Sequence, residues 1–363
     1  MFSKYLKKID WYIIRKFLGT YFYAIGLIIA IAIIFDISEK IDDFIDKKAP
    51  LSAILFDYYL NFIPFFVNLF SPLFTFIAVI YFTSRMAANT EIIAILNAGV
   101  SFRRLLRPYI VSAVFIMLIA LFFANFLIPH VNKGRIAFEK KYIKNPYVNK
   151  GINIHFQQDK ETYYYVESFD NTANQGYRFS MEKMNEKGLY YKLNAEQAVW
   201  DSVTHKWHLT DCFERWINGL EEKIVKKDAI DTTFDIKPVD FARDMVNIET
   251  MNWNDLRKYL KREKLRGSDR IKTYEIEQYQ RMIFPLASIV LTLIGVSLSS
   301  RKVRGGIGVN LALGILFAFT FILFMKISTV FATSGNLPAP IAALIPIVLY
   351  SVLAVYLIQK APK

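Results

Sequence analysis

The chain carries few residues whose types and spacing could support catalysis. Its four histidines are His130, His155, His205 and His208. His205 and His208 stand three positions apart in a segment that alternates like a β-strand, so their side chains would face opposite sides and not share a metal. No GxxxxGK[ST] motif occurs, which excludes ATP binding by a P-loop, and no nucleophile stands beside a base. We therefore predict a protein that is not an enzyme and holds no metal or cofactor.

The residue of greatest chemical interest is Glu91, in a polar stretch over 88–101 between two long apolar runs. On a helix this stretch would present two neighbouring faces, with Glu91, Ile95 and Ala98 on one and Ile92, Leu96 and Gly99 on the next. Such a helix could press one face into the groove of a partner protein, where the carboxylate would pair with an arginine. An amphipathic loop at the membrane surface with a solvated glutamate explains the same residues equally well. Both interpretations stay open on the residues alone.

One basic residue, Lys326, falls well inside an apolar run. A lysine near the centre of a bilayer costs about 2.5–3.5 kcal/mol, so such a residue usually faces a cavity or a partner. Lys326 is also close enough to the end of its run to reach the membrane surface. We favour a contact with an anionic headgroup or phosphate. Lys40, Lys133 and Arg135 lie beside other apolar runs, and for each of them taken singly a solvated charge is the simpler interpretation.

Membrane helices would position these residues. The chain has 363 residues, 54% of them hydrophobic, and the apolar residues are gathered into blocks. Because about 20 apolar residues cross the hydrocarbon core as a helix, we predict a polytopic α-helical membrane protein with six transmembrane helices, arranged three plus three around a polar region. The predicted spans cover residues 17–35, 56–83, 108–128, 282–300, 307–331 and 340–358.

The short loops predict how these helices are oriented. Basic residues precede span one, lie between spans two and three and between spans four and five, and close the chain, for example Lys7, Arg104, Arg301 and Lys360. The opposite loops are acidic or neutral. By the positive-inside rule both termini are cytoplasmic. On this placement the net charge of +13 is a topology signal and does not predict nucleic-acid binding.

The polar region between the two sets of spans is then outside the cytoplasm. Alternating apolar residues such as Trp207, Leu209 and Phe213, separated by turn residues, predict an antiparallel β-sandwich or jelly roll over 129–251. Residues 252–275 change to a helical period and predict a short amphipathic connecting helix. Cys212, the single cysteine, is predicted to be a small buried hydrophobe. The predicted domains are thus 1–128, 129–251, 252–275 and 276–363.

Several motifs resemble one known family along the whole chain. They are Asp10-Trp11-Tyr12-Ile13 at the start, Glu91-Ile92-Ile93-Ala94-Ile95-Leu96-Asn97-Ala98-Gly99-Val100-Ser101 between spans two and three, Arg281-Met282-Ile283-Phe284-Pro285 at span four, and Gly335-Asn336-Leu337-Pro338 before span six. The chain is similar to the LptF/LptG permeases of the lipopolysaccharide export ABC transporter. The resemblance implies a bacterial inner membrane protein with three helices, an inserted periplasmic all-β jelly-roll domain and three further helices.

The resemblance also implies a mechanism and its partners. Two such permeases would pair on an LptB-like ATPase dimer, which contacts a coupling helix over about 88–100 and squeezes lipopolysaccharide out of a cavity gated by spans one and five. The implied ATPase-coupling residues are Glu91, Ile92, Ile95, Leu96 and Gly99. Glu91 would contact an arginine of the ATPase. The candidate lipid-headgroup ligands are Lys40, Lys133, Arg135 and Lys326. An LptC/LptA-like periplasmic β-jelly-roll protein would then receive the lipid on its way to the outer membrane.

Two other functions compete with the exporter. A secondary transporter would place ionisable residues or broken helices at the membrane midplane in repeat-related positions, and Lys326 alone does not supply these. A membrane-anchored periplasmic assembly scaffold without transport activity would use its helices only to hold the β domain, which leaves the stretch over 88–101 unexplained. We therefore predict the permease subunit of a lipopolysaccharide exporter, driven by a separate ATPase.

Overall fold

Six helical segments of the protein are long and apolar enough to cross a membrane. The computed structural model describes residues 7–143, 150–170, 173–186, 188–241, 248–265, 271–301, 306–335 and 337–361, and the six segments lie within this part of the chain. In chain order, spans one to six are Lys8–Asp46, Leu51–Ala88, Phe102–Tyr142, Ile271–Ser299, Ile307–Ser334 and Ala339–Lys360. The predicted arrangement of three helices, an inserted domain and three helices is confirmed. Asn336 of the last motif, and residues 266–270 of the predicted connecting helix, lie outside the described residues.

Several of these spans are built from more than one helical element. The helices are α1 (Lys8–Asp46), α2 (Leu51–Ala53), α3 (Leu60–Ala88), α4 (Glu91–Asn97), α5 (Phe102–Phe122), α6 (Ile128–Tyr142), α7 (Pro238–Phe241), α8 (Trp253–Leu265), α9 (Ile271–Ile283), α10 (Ala287–Ser299), α11 (Gly306–Ser334) and α12 (Ala339–Lys360). Span two contains a π-helical turn at Ile54–Tyr59, and span three contains another at Phe123–Leu127. In span four, Pro285 lies in a 3-10 turn between α9 and α10, where its missing N–H breaks the α-helical pattern.

The chain divides into two units, Met1–Ile143 with Lys272–Lys363, and Lys144–Ile271. In the first unit, glycines let the spans approach closely. A methyl group on Gly314 of α11 would lie 2.2 Å from the Cδ1 atom of Ile80 in α3, and one on Gly295 of α10 would lie 2.9 Å from Val79. Small residues at such crossings allow membrane helices to pack backbone against side chain. Span two is therefore the element against which spans four and five are packed.

Two hydrogen bonds between buried hydroxyl and amide groups also connect the spans. Tyr21 of α1 and Ser71 of α3 share a hydrogen bond of 2.8 Å, and the side-chain amide of Asn310 in α11 donates to Ser84 of α3 at 2.9 Å. In hydrocarbon, a polar group without a partner would be costly, so pairs of this kind specify how helices meet. Span one is thus joined to span two, on the side where α1 is buried.

The two ends of the helical unit differ in what they contain. At one end, Ile13 of α1, Ile92 of α4 and Ala361, just beyond α12, belong to a single apolar cluster. At the other end, Ile143 packs against the cluster around Phe44, near the end of α1. Lys272 at the start of α9 donates to the carbonyl of Gly335 at 2.6 Å, near the connection between spans five and six. The chain therefore leaves and re-enters this unit at the end opposite α4.

The inserted unit contains one antiparallel sheet, which confirms the predicted β domain between spans three and four. Its strands are β1 (Lys150–Gln157), β2 (Thr162–Asp170), β3 (Gln175–Asn185), β4 (Gly188–Asp201), β5 (Lys206–Asn218) and β6 (Glu221–Thr232). Each described strand pairs with the next one in sequence, so the order is that of a meander. The connectivity is therefore simpler than in the expected jelly roll, where long connections return a strand to the side of an earlier one. Helix α8 of this unit buries Leu256 and Leu260, as the predicted amphipathic helix requires.

A crease across the sheet explains how one meander encloses a core. Asn153 in β1, Arg178 in β3 and Asp211 in β5 lie in one row of the sheet and have φ angles of 54°, 50° and 50°. This left-handed backbone interrupts the alternation of side chains in β1, β3 and β5. In β2 to β5, buried residues on either side of the row are three positions apart. These pairs are Val166 and Phe169, Gly176 and Phe179, Ala195 and Ala198, and Leu209 and Cys212. Both halves of the sheet consequently face one core.

The crease also corrects one expectation from the alternating pattern. Trp207 and Leu209 are buried as predicted, but Phe213, which continues the same alternation, is 44% exposed. The shift at Asp211 moves Cys212 into the core instead, where it is fully buried. Burial raises the pKa of the Cys212 thiol. The prediction that Cys212 acts as a small buried hydrophobe agrees with this position.

Candidate functional site

The stretch over 88–101 folds as the short helix α4, set between α3 and α5 by two residues with left-handed backbone. Thr90 precedes the helix with a φ of 63°, and Gly99 follows it with a φ of 82°. Glycine adopts this conformation without strain, so Gly99 ends the helix sharply. The Ser101 hydroxyl then accepts a hydrogen bond from the Arg104 N–H at 3.4 Å and begins α5. The segment is therefore a defined helical element rather than an irregular loop.

Helix α4 has a buried side and an exposed side. Ile92 is fully buried in the apolar cluster with α1, and Ile95 and Leu96 pack partly against the same cluster. Ile93 is 45% exposed. Ile92 was predicted as a docking residue and cannot offer its side chain to a partner, because the chain's own core covers it. Ile93 was not among the predicted coupling residues. It lies off the stripe of Ile92, Ile95 and Leu96, whose i, i+3, i+4 spacing is typical of a buried face.

Glu91, the first residue of α4, is half-buried and contacts α1. The hydroxyl of Tyr12 donates to its Oε2 atom at 2.9 Å. The amide of Asn89 approaches the Oε1 atom at 3.5 Å, a long contact. One carboxylate oxygen is therefore held by Tyr12, and the other keeps most of its capacity to accept hydrogen bonds. A charged donor on a partner protein could therefore pair with this oxygen at the start of α4.

A second contact joins α1 to the chain just beyond α4. The guanidinium of Arg104 donates to both oxygens of Asp10, at 2.7 and 2.6 Å. Asp10 is 1% exposed, and its Oδ2 atom also accepts the backbone N–H of Lys7 at 2.7 Å. A two-pronged pair of this kind is among the strongest hydrogen-bonded arrangements in proteins. From the sequence, Arg104 was predicted only as a topology signal, since nothing in the sequence relates two residues so far apart.

The family described as lipopolysaccharide export system permease LptF/LptG matches residues 11–360. The chain belongs to the LptF/LptG family. No curated protein matches it. The six spans and the family together make it a multi-pass inner membrane protein and a permease of lipopolysaccharide export. LptF/LptG permeases work in a complex with an ATPase and other Lpt proteins.

Among the headgroup ligands predicted for this LptF/LptG permease, Lys40 is engaged within the chain. Its ammonium group contacts the carboxylate of Asp36 and the hydroxyl of Tyr58. Tyr59 also donates to Asp36, at 3.0 Å. The cluster lies beside the aromatic rings of Phe44 and Tyr58, which pack edge to face with centroids 6.1 Å apart. An anionic ligand for Lys40 would therefore compete with Asp36.

Arg135, on α6, is also engaged within the chain. Its Nε atom lies 3.7 Å from Glu139, one turn further along the helix, and its guanidinium lies 4.9 Å from the ring centre of Phe65. A cation over an aromatic face is attracted to it, most strongly where water is excluded. The guanidinium thus packs against span two, and an anion would have to approach it there.

Lys133 and Lys326 present their charges differently. Both are exposed, and within the described part of the chain neither takes part in a hydrogen bond or ion pair. Lys326 lies in the last third of α11 on span five, between the exposed side chains of Phe324 and Ile327. A lysine that emerges from an apolar helix surface without an internal partner needs one from outside the chain. These two residues fit the predicted headgroup role better than Lys40 and Arg135.

Proposed function

We propose that the chain is the transmembrane subunit of an ABC exporter that extracts lipopolysaccharide from the inner membrane and passes it to a periplasmic bridge. An LptB-like ATPase dimer docks on α4 and supplies the energy. Two observations on α4 carry the proposal: the Oε1 atom of Glu91 has only a long contact with Asn89, and the side chain of Ile93 is 45% exposed. An arginine of the ATPase would pair with Glu91 while Ile93 enters an apolar groove.

The orientation of the chain supports this docking. Arg85, Arg103 and Arg107 flank α4, and Lys360 ends α12 at the same end of the helical unit. Acidic residues of α1, including Asp42 and Asp46, belong to the other end. The positive-inside rule therefore favours a cytoplasmic α4 and cytoplasmic termini. The chain leaves for the β unit from the acidic end, which supports a periplasmic position for that unit.

The extent to which each span is buried by the rest of the chain favours a second LptF/LptG-type permease as a partner. Only 17% of the apolar window of span one and 22% of that of span five are buried by the rest of the chain, against 61% for span four. Pairing through spans one and five would cover these surfaces and enclose a cavity for the lipid. Lys326 of span five would then meet a lipid phosphate at the cavity wall, with Lys133 as the second exposed cation. Lys40 and Arg135 would take part only after exchanging their carboxylate partners.

The sheet of the second unit supports a β-domain partner in the periplasm. In the described strands, β1 and β6 are the two edges of the meander, and each has one side without a neighbouring strand. An open edge can pair with a strand of another protein through main-chain hydrogen bonds. An LptC/LptA-like β-jelly-roll protein joined in this way would continue the sheet and receive the lipid.

The proposal is tested by co-purification of the chain with its ATPase, comparing the unaltered protein with Glu91→Lys. We expect the affinity to fall by about 30-fold or more, because losing one partner of a buried charge pair costs about 2 kcal/mol or more. Glu39→Lys is the matched control, since Glu39 is exposed and belongs to the acidic end of α1. ATPase association that is unchanged by Glu91→Lys contradicts the docking site. Absence of any ATPase from the unaltered complex contradicts the exporter and favours the assembly scaffold.

A further inference from the structure

The start of α1 is fastened to both sides of the docking helix. We infer that Tyr12, Asp10 and Arg104 are positioning residues, which transmit a displacement of α4 to span one. The inference rests on the proposed function, since it assumes that an ATPase moves α4. It adds the route by which that movement reaches the membrane. We call the contacts Tyr12–Glu91 and Asp10–Arg104 the α1 clamp.

The two contacts of the α1 clamp bracket α4 along the chain. Tyr12 donates at 2.9 Å to Glu91, where α4 begins. The two oxygens of Asp10 accept hydrogen bonds from the Arg104 guanidinium at 2.7 and 2.6 Å. Arg104 lies in the first turn of α5, just after α4 ends. A rigid shift of the segment in either direction would therefore pull on α1 through one contact or the other.

The clamp also resists rotation of α1. Residues two apart on an α-helix point about 200° apart around its axis, so Asp10 and Tyr12 leave α1 on nearly opposite sides. A helix held on two sides cannot turn about its axis without breaking one of the contacts. The hydrogen bond from the Lys7 N–H to Asp10, at 2.7 Å, further ties this carboxylate to the first turn of α1.

Space remains between α1 and the segment that runs from the end of α4 into α5. A cavity of about 330 Å³ lies between them and is lined by Lys7, Asp10, Ile95, Gly99 and Arg104, among others. Apolar packing at the other side of α4 is provided by Ile92, which belongs to the same cluster as Ile13 of α1. The Asp10–Arg104 pair lines this cavity and supplies a direct two-point contact between α1 and the start of α5.

The part of α1 beyond the clamped end is only partly packed against the rest of the chain. The helix has 39 residues, about 58 Å at 1.5 Å per residue. Between Ile25 and Phe44 no side chain of α1 is fully covered by the chain. A small rotation at the clamped end would therefore swing the central part of span one, with little packing to oppose it.

The test uses the full chain assembled with its partner subunits and ATPase in lipid nanodiscs. Spin labels are placed on α1 and on the outer part of span three, at Phe35→Cys and Phe126→Cys, both of which are well exposed. Their distance is measured by pulsed electron resonance with and without ATP. In the doubly labelled protein, Arg104→Gln removes the guanidinium group that binds both oxygens of Asp10. Tyr12→Phe removes only one hydroxyl group. The matched controls are Arg103→Gln, an exposed neighbour with the same charge, and Tyr23→Phe, an exposed tyrosine of α1.

We expect both clamp variants to keep ATPase binding and ATP hydrolysis but to lose the ATP-dependent change in distance, while both controls retain it. Arg104→Lys keeps the charge without the guanidinium group and should recover part of the change. A distance change that persists in Tyr12→Phe and Arg104→Gln overturns the inference and leaves the proposed function intact. If Arg104→Gln does not fold, Tyr12→Phe decides the matter alone. If the unaltered chain binds no ATPase, the proposed function fails and the inference fails with it.

Discussion

The contact between Gly314 and Ile80 gives the sharpest prediction about how the helical unit is held together. A Cβ atom added at Gly314 would lie 2.2 Å from the Cδ1 atom of Ile80, while the next nearest atom of Ile80 is 3.5 Å away. Ile80 is fully buried and cannot turn towards solvent. Gly314→Ala should therefore lower the free energy of unfolding by about 1–3 kcal/mol, the usual cost of overpacking a core. The melting temperature should fall by about 2–12 °C.

A double-mutant cycle identifies the responsible atom. Ile80→Val removes Cδ1 and should by itself cost about 0.5–1.5 kcal/mol. In the Ile80→Val background, Gly314→Ala should cost almost nothing, because its nearest neighbour is then at an ordinary contact distance. Gly308→Ala on the same helix is the control, since no atom lies within 4 Å of a methyl group there. Thermal unfolding in detergent measures all four variants. Equal destabilisation by Gly314→Ala in both backgrounds would refute the argument.

Three further predictions follow from the docking helix and the sheet. Ile93→Asp should weaken co-purification with the ATPase at unchanged stability, because Ile93 is exposed, whereas Ile92→Ala should lower the free energy of unfolding by about 2–5 kcal/mol by leaving a cavity. Cys212 should not react with a thiol reagent until the protein unfolds, since it is fully buried and burial raises the pKa of its thiol; rapid labelling of the native protein would contradict its position. Asp211→Gly should leave the free energy of unfolding unchanged or raised, whereas Asp211→Val should lower it by about 1–2 kcal/mol, because only glycine adopts a positive φ without strain. Equal stability of these two variants in denaturant would count against the crease.

The parts of the fold that sequence reasoning predicted are those that depend on local periodicity. Blocks of apolar residues predict membrane helices because the length of the hydrocarbon core imposes their length. Alternating residues predict strands because successive side chains face opposite sides. The amphipathic helix α8 follows from Leu256 and Leu260, one turn apart and both buried.

The parts that were missed depend on contacts between distant residues or on one unusual backbone angle. The pairing of Asp10 with Arg104 joins residues 94 positions apart, and neither residue carries a local sign of the other. Phe213 was expected to continue the pattern of Leu209, but the positive φ of Asp211 shifts the alternation. Whether Ile92 or Ile93 is exposed depends on which face of α4 meets the core. The spacing of Ile92 to Ile95 and Leu96 already indicated that Ile92 is the buried one.

We propose above that this permease moves lipopolysaccharide with energy from an ATPase docked on α4. The most direct test is lipid transfer from proteoliposomes that contain the full complex to a soluble periplasmic β-jelly-roll acceptor, with and without ATP. On this proposal, transfer depends on ATP, is lost in Glu91→Lys and is retained in Glu39→Lys. Transfer that proceeds equally without ATP, or ATP hydrolysis by the assembled complex without any transfer, would contradict it.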